Sequence, residues 1–291
     1  MHVRPTTRPR RLLIVLLALF GLLATGSPAL AAPAAGHEAG GRHPDATYLA
    51  LGDSVPFGYR GGEPPEVYAD AENLTGYPEL VARWLDLDLL NASCPGETTA
   101  SFIDETAQSN GCQNSLGSDV GYRDRFPLHV DYAGAQLEYA AEVLQENRDV
   151  RLVTLQIGAN DAFICQQTIG CDTPEEGAAL AAQVGRNVER ILGALRGEGG
   201  YTGRIAVVTY YALDYTDPAS VQAVQGLNAA LAAAAGTHGA VVADGFATFA
   251  PRALAAGGSS IDAGLVLPDD VHPTRKGHRL LARAVVQAVG H

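Results

Sequence analysis

The stretch "VRLVTLQIG", Val150 to Gly158, is apolar at nearly every position. A strand half-exposed to water alternates polar with apolar residues; a continuous run belongs to a strand covered on both faces. Similar runs recur along the chain. Tyr48 to Leu51, Leu87 to Ser93, Arg204 to Ala212 and Ala240 to Gly245 read as strands. Between them lie segments with helical period: Tyr77 to Leu85, Ala133 to Glu146, a long helix capped by Thr173, Ala219 to Ala235, and Lys276 to Val289 at the end. On the third of these, Leu180, Val184, Val188, Ile191, Leu192 and Leu195 share one face. Strand–helix alternation with apolar strands predicts an α/β domain, a parallel sheet with helices on both faces.

The N-terminal part stands apart. Arg4, Arg8, Arg10 and Arg11 precede an apolar run, Leu12 to Ala24, which is short for a bilayer span and is followed by "PALAA". This pattern predicts a signal peptide over 1–31, cleaved near Ala31, with a retained anchor as the rival reading. Residues 32–46 are small, polar and glycine-rich and read as a flexible leader. Residues 47–291 are then one domain, long enough for a substantial core, and no internal repeat is evident.

Without residues 1–31 the chain keeps 16 basic and 32 acidic residues, a balance near −16. That charge disfavours nucleic acid and stable association with anionic membranes. Four cysteines, Cys94, Cys112, Cys165 and Cys171, form an even set suited to an oxidising compartment. Three pairings are open; the local one, Cys94 with Cys112 and Cys165 with Cys171, is expected. Their spacing contains no C-x-x-C pattern, which argues against a metal site.

In open parallel sheets, ligand groups collect beyond the carboxyl ends of the strands. The first strand ends on Gly52-Asp53-Ser54, the second leads to "NASCPGE" with Gly96, and the third to "GAND", Gly158 to Asp161. "PDDVHP", Pro268 to Pro273, precedes the last helix. These positions suit acyl transfer. Ser54 offers a hydroxyl and His272 an imidazole for general-base work. Asp269, three residues before His272, is expected to reach the far ring nitrogen, with Asp270 as the rival orienter. The Ser54 and Gly96 backbone N–H groups and the Asn160 amide are candidate oxyanion donors.

The four blocks resemble the SGNH hydrolases, also called the GDSL esterase/lipase family: Gly-Asp-Ser, then Gly, then Gly-x-Asn-Asp, then Asp-x-x-His-Pro, spread over nearly the whole domain. The resemblance implies a three-layer αβα sandwich around a mainly parallel five-stranded sheet. It also implies a Ser54–His272–Asp269 triad and an oxyanion hole from Ser54, Gly96 and Asn160, with no cofactor and no metal. The departure is Val55, where the family name has Leu. The leader, long loops and cysteines resemble secreted bacterial members with lipase, phospholipase or esterase activity.

Several residues carry plainer readings. Asp53 and Asp161 are expected to brace the Ser54 and Asn160 turns through backbone N–H groups. His278 is expected to be a packed or solvated histidine, and His129 and His238 have no acidic or nucleophilic neighbour of note. Of the aromatic residues, Phe163 is the candidate for a place near the acyl site. A metal-dependent phosphoesterase using Asp53, Asn160 and His272 is disfavoured because no HxH or HxD pair marks a cluster. A non-catalytic binding module would lack a triad member, and none is missing. The expected substrate is a small-molecule or lipid carboxylic ester cleaved by a monomer, with a carbohydrate O-acetyl ester as the alternative.

Overall fold

A computed structural model describes residues 46–171 and 173–290. The expected signal peptide and residues 32–45 of the expected leader lie outside the described residues. The elements in chain order are β1 (Thr47–Gly52), α1 (Ser54–Phe57), α2 (Pro65–Tyr68), a 3-10 turn (Ala71–Asn73), α3 (Pro78–Leu85), β2 (Asp88–Asn91) and α4 (Thr99–Ile103). They continue with α5 (Gln136–Glu146), β3 (Val150–Gln156), α6 (Ala159–Thr168), α7 (Pro174–Gly197), β4 (Arg204–Val208), α8 (Pro218–Thr237), β5 (Val241–Ala243), α9 (Gly245–Ala255) and α10 (Arg275–Val289).

The five strands form one sheet in the order β2-β1-β3-β4-β5, and every neighbouring pair is parallel. Each connection must therefore cross back over a face, and helices make the crossings. Helix α7 packs with α4, α5 and α8, whereas α10 packs with α3, α9, β4 and β5. The chain runs from β1 out to β2 and then returns past β1 to β3. The direction of winding reverses between β1 and β3, so a crevice opens at their carboxyl ends.

Burial follows the apolar pattern. Leu49, Leu51 and Leu155 are fully enclosed in the sheet, Ile157 is buried just beyond β3, and Val184, Val188, Ile191, Leu192 and Leu195 are the buried stripe of α7. Thr173 caps that helix in a reciprocal box with Glu176, which satisfies two otherwise orphaned backbone donors. The strands are shorter than their apolar runs: β4 stops at Val208 and β5 at Ala243, because the residues beyond them turn into the site loops. Helix α9 has no counterpart among the expected elements, and neither has α4 in the long loop after Cys94. No helix among the described residues is long and apolar enough to cross a membrane.

Helix α10 begins at Thr274, whose hydroxyl accepts from the Lys276 and Gly277 N–H groups. Its first turn sits tight against the Leu265 carbonyl, a space that Gly277 fits because it has no Cβ. His278 is buried there, and burial, aided by the charges of His272 and Arg60, pushes its pKa down to about 3 from 6.5. The unfolded chain binds this proton more readily, so stability contributed by neutral His278 is present above pH 6.5 and is lost as pH falls toward 3. Between pH 7 and pH 5 we expect wild type to lose about 1–2 kcal/mol more stability than His278→Gln, measured by urea unfolding at both pH values.

Candidate active site

At the end of β1 the backbone of Gly52 has a φ of 134° and runs so close to the Gln156 carbonyl that a Cβ would collide with it. Gln136, the first residue of α5, clamps this turn on both sides. Its Oε1 accepts from the Gly52 N–H at 2.7 Å and its Nε2 donates to the Gly52 carbonyl at 3.0 Å. Asp53 follows in an extended conformation as the N-cap of α1 and accepts from the Val55 N–H at 2.9 Å. The Tyr210 hydroxyl donates to its second carboxylate oxygen. Burial raises the Asp53 pKa to about 6, against the opposing pull of these two hydrogen bonds and the His272 charge. Ser54 is thus the first residue of a four-residue helix that Gly58 ends in a left-handed conformation.

The His272 Nε2 lies 2.9 Å from the Ser54 Oγ across 218 residues of sequence. On the other side of the ring, Nδ1 lies 2.6 Å from the Asp270 Oδ1. An ionised carboxylate can only accept, so Nδ1 carries the proton and Nε2 is free to accept from Ser54. The orienting carboxylate is therefore Asp270, not Asp269. The reason is the backbone: Asp269 is exposed, with a φ of 56°. After that left-handed residue, the Asp270 side chain folds over its own turn, where Oδ1 also accepts from the Val271 N–H at 2.7 Å. The Gly61 N–H donates to the other oxygen at 2.9 Å. Burial alone would raise the Asp270 pKa, but the His272 hydrogen bond and charge and the Gly61 and Val271 N–H groups hold it well below the usual carboxylate range.

The loop bearing His272 is fixed by the Tyr211 hydroxyl, which donates to the Val271 carbonyl at 2.6 Å, and by Leu267 N–H to the His272 carbonyl at 3.0 Å. The Tyr59 ring meets the imidazole edge-on, 5.1 Å between centroids, and stacks on Tyr68. Tyr68, Tyr122, Phe126 and Phe57 extend this aromatic wall. Phe163 lies half-buried on α6, and the ring against His272 is that of Tyr59 instead.

Gly96 has a φ of 85° and packs against the backbone of Asn110, where a Cβ would clash. Its carbonyl accepts from the Asn110 N–H at 2.7 Å, and the Cys94–Cys112 disulfide closes the loop. Cys165 pairs with Cys171, so the local pairing is the one present. Asn160 is buried in the first turn of α6; its Nδ2 donates to the Glu97 carbonyl at 3.0 Å and its Oδ1 accepts from Asn110 Nδ2 at 2.9 Å. Asp161 accepts from the Thr99 N–H at 2.9 Å and the Thr99 hydroxyl at 2.5 Å, so it ties α6 to the Gly96 loop. Burial pushes the Asp161 pKa up to about 6, against those two bonds.

Asp53, Asn160 and His272 each have separate hydrogen-bond partners. The one group among the described residues with metal-ligand atoms close together is Cys94, Glu97 and Cys112, and its two sulfurs are bonded to each other. His278, His129 and His238 stand outside the Ser54–His272–Asp270 line; His129 Nε2 donates to the Phe57 carbonyl, 3.0 Å away. Glu97, Asn110, Gln136 and Tyr210 support the site without having been singled out in the sequence.

The chain matches the family of GDSL-like lipases/acylhydrolases over residues 50–280. Comparison with curated proteins gives no match. Among solved structures it is similar to an acetylxylan esterase from Geobacillus stearothermophilus, with 17% identity and a TM-score of 0.53 over 84% of this chain and 94% of that one. It is also similar to a lipase from a goat rumen metagenome, with 15% identity and a TM-score of 0.53 over 84% of this chain and 97% of that one. These likenesses show the fold.

Replacing the orienting Asp by Asn in a serine triad costs about 10⁴ in kcat, because the imidazole adopts the wrong tautomer. We expect a loss of that order for ester hydrolysis in Asp270→Asn and less than about twofold in Asp269→Asn, compared by steady-state kinetics. Asn160→Ala should lower kcat by about 10²–10³, the usual effect of removing one oxyanion donor.

Proposed function

The chain belongs to the GDSL-like lipase/acylhydrolase family, and from that premise we propose that it is a secreted serine esterase that cleaves carboxylic esters through an acyl-enzyme on Ser54. The observation that carries this reading is the position of His272, within hydrogen-bond reach of the Ser54 hydroxyl on one side and the Asp270 carboxylate on the other.

In the first step His272 Nε2 takes the Ser54 proton as Oγ attacks the ester carbonyl. Asp270 stabilises the imidazolium that forms. The tetrahedral oxyanion is held by the Ser54 and Gly96 N–H groups and the Asn160 amide, whose nitrogen has a second hydrogen beyond the one given to Glu97. His272 then returns the proton to the leaving alcohol. Water repeats the sequence on the acyl-enzyme and frees the acid.

Secretion is supported by the signal-peptide pattern of residues 1–31 and by two disulfides, bonds that persist in oxidising compartments. The half-buried Tyr59 ring, edge-on to His272, favours an ester with an apolar part over a purely sugar-borne acetyl group.

The test is hydrolysis of p-nitrophenyl esters from acetyl to palmitoyl, with EDTA present. Wild type should turn over, with an optimum above acetyl, and Ser54→Ala should lose turnover while its urea unfolding stays unchanged. Ser54→Ala that keeps wild-type activity would sink the mechanism. An optimum at acetyl, with faster release of acetate from acetylated xylan, would transfer the reading to a carbohydrate O-acetylesterase.

A further inference from the structure

Glu97 is a carboxylic acid with no exposed surface, one residue past Gly96, and the mechanism above does not use it. Its surroundings connect every element that carries an oxyanion donor. Its Oε2 accepts from the Gln136 Nε2 at 3.1 Å, and the same nitrogen donates to the Gly52 carbonyl. Both hydrogens of that amide are thereby used, and its oxygen accepts from the Gly52 N–H. Glu97 thus fixes the plane of the side chain that clamps the Ser54 turn. The Gly52 carbonyl also accepts from the Cys94 N–H at 3.0 Å, so the nucleophile turn and the Gly96 loop meet at one atom.

On its other side the Glu97 Oε1 accepts from the Ser101 hydroxyl at 2.5 Å and the Gln113 Nε2 at 3.0 Å. Ser101 belongs to α4, where its hydroxyl accepts from the Thr98 N–H, next to the Thr99 that Asp161 holds. The Glu97 backbone carbonyl accepts from the Asn160 amide. One residue therefore reaches the Ser54 turn through Gln136, adjoins Gly96 in the chain and holds Asn160 directly.

We propose that Glu97, acting with Gln136, is a positioning residue that sets the mutual placement of the three oxyanion donors. This rests on the reading of Ser54 as an acyl-transfer nucleophile. Preorganised donors contribute to rate only where they face the oxyanion of the transition state, so loosening their spacing lowers kcat more than substrate binding. Burial raises the Glu97 pKa to about 7, against the hydrogen bonds from Ser101, Gln113 and Gln136 and the charge of Arg123. A neutral amide is therefore a fair substitute. A glutamine there can accept from Gln136 and donate to Ser101, with Gln113 turning over the amide whose oxygen has no partner.

The experiment is steady-state hydrolysis of p-nitrophenyl butyrate by wild type, Glu97→Ala, Glu97→Gln, Gln136→Ala and the Glu97→Ala/Gln136→Ala pair, with urea unfolding of each. Glu97→Ala should lower kcat about 10- to 100-fold with KM within about twofold, as expected for donors displaced by part of an ångström. Glu97→Gln should recover to within about fivefold of wild type. The double variant should lose no more than the worse single one, because the two residues act as one link. Should Glu97→Ala not fold, Glu97→Gln and Gln136→Ala carry the test. A folded Glu97→Ala or Gln136→Ala with wild-type kcat, or losses that multiply in the pair, overturns the inference. Absence of Ser54-dependent turnover in wild type removes the functional reading itself, and this inference with it.

Discussion

The site depends on how β1 ends. At Gly52 the chain passes so close to the Gln156 backbone that only glycine fits, and one buried amide, Gln136, holds both its N–H and its carbonyl. A strand that simply frayed into a turn would leave Ser54 mobile on the surface. This one is anchored to β3 on one side and to the Cys94 loop on the other, so the hydroxyl of Ser54 leaves a rigid platform. The switch in winding between β1 and β3 places that platform at the crevice where parallel sheets expose their strand ends. His272 and Asp270 then come to it from a loop more than 200 residues away.

The polar groups beneath the crevice are unusually acidic for a buried region. Asp53 and Glu97 are enclosed and Asp161 is half-buried, and desolvation raises the pKa of each to between about 6 and about 7. Each accepts from two or three donors: Val55 and Tyr210 for Asp53, Ser101, Gln113 and Gln136 for Glu97, the Thr99 N–H and hydroxyl for Asp161. Buried acids held this way rigidify, because each fixes several donors from different elements at once. Their raised pKa values mean that the folded chain holds these protons more tightly than the unfolded one. Their contribution is fully present below pH 4 and declines as pH rises through 6 to 7, opposite in sign to that of His278.

Much of this was legible in the sequence because strands and their ends obey simple rules. The apolar runs at Tyr48, Val150 and Arg204 read as buried strands, and the Ser54, Gly96 and Asn160 blocks each follow a strand, whereas the His272 block precedes the last helix. That rule singles out Ser54, Gly96 and Asn160 as candidates, and the structure brings His272 within 2.9 Å of the Ser54 hydroxyl. The choice of Asp269 over Asp270 failed because spacing says nothing about the sign of φ. A left-handed Asp269 turns the chain so that the carboxylate two residues from His272 reaches the ring, and the one three residues away faces water. Glu97 and Gln136 were hidden for a related reason. A glutamate beside a glycine in a polar loop reads as solvent-exposed, and its burial arises only when α4, α5 and the Cys112 segment close over it.

The central claim is that Ser54 is the nucleophile activated by His272. Exposure of the folded protein to an organophosphonate ester, followed by peptide mapping by mass spectrometry, tests this directly. The account predicts one adduct per chain, on Ser54, formed far more slowly in His272→Ala. An adduct on another residue, or none on folded wild-type protein, would contradict it.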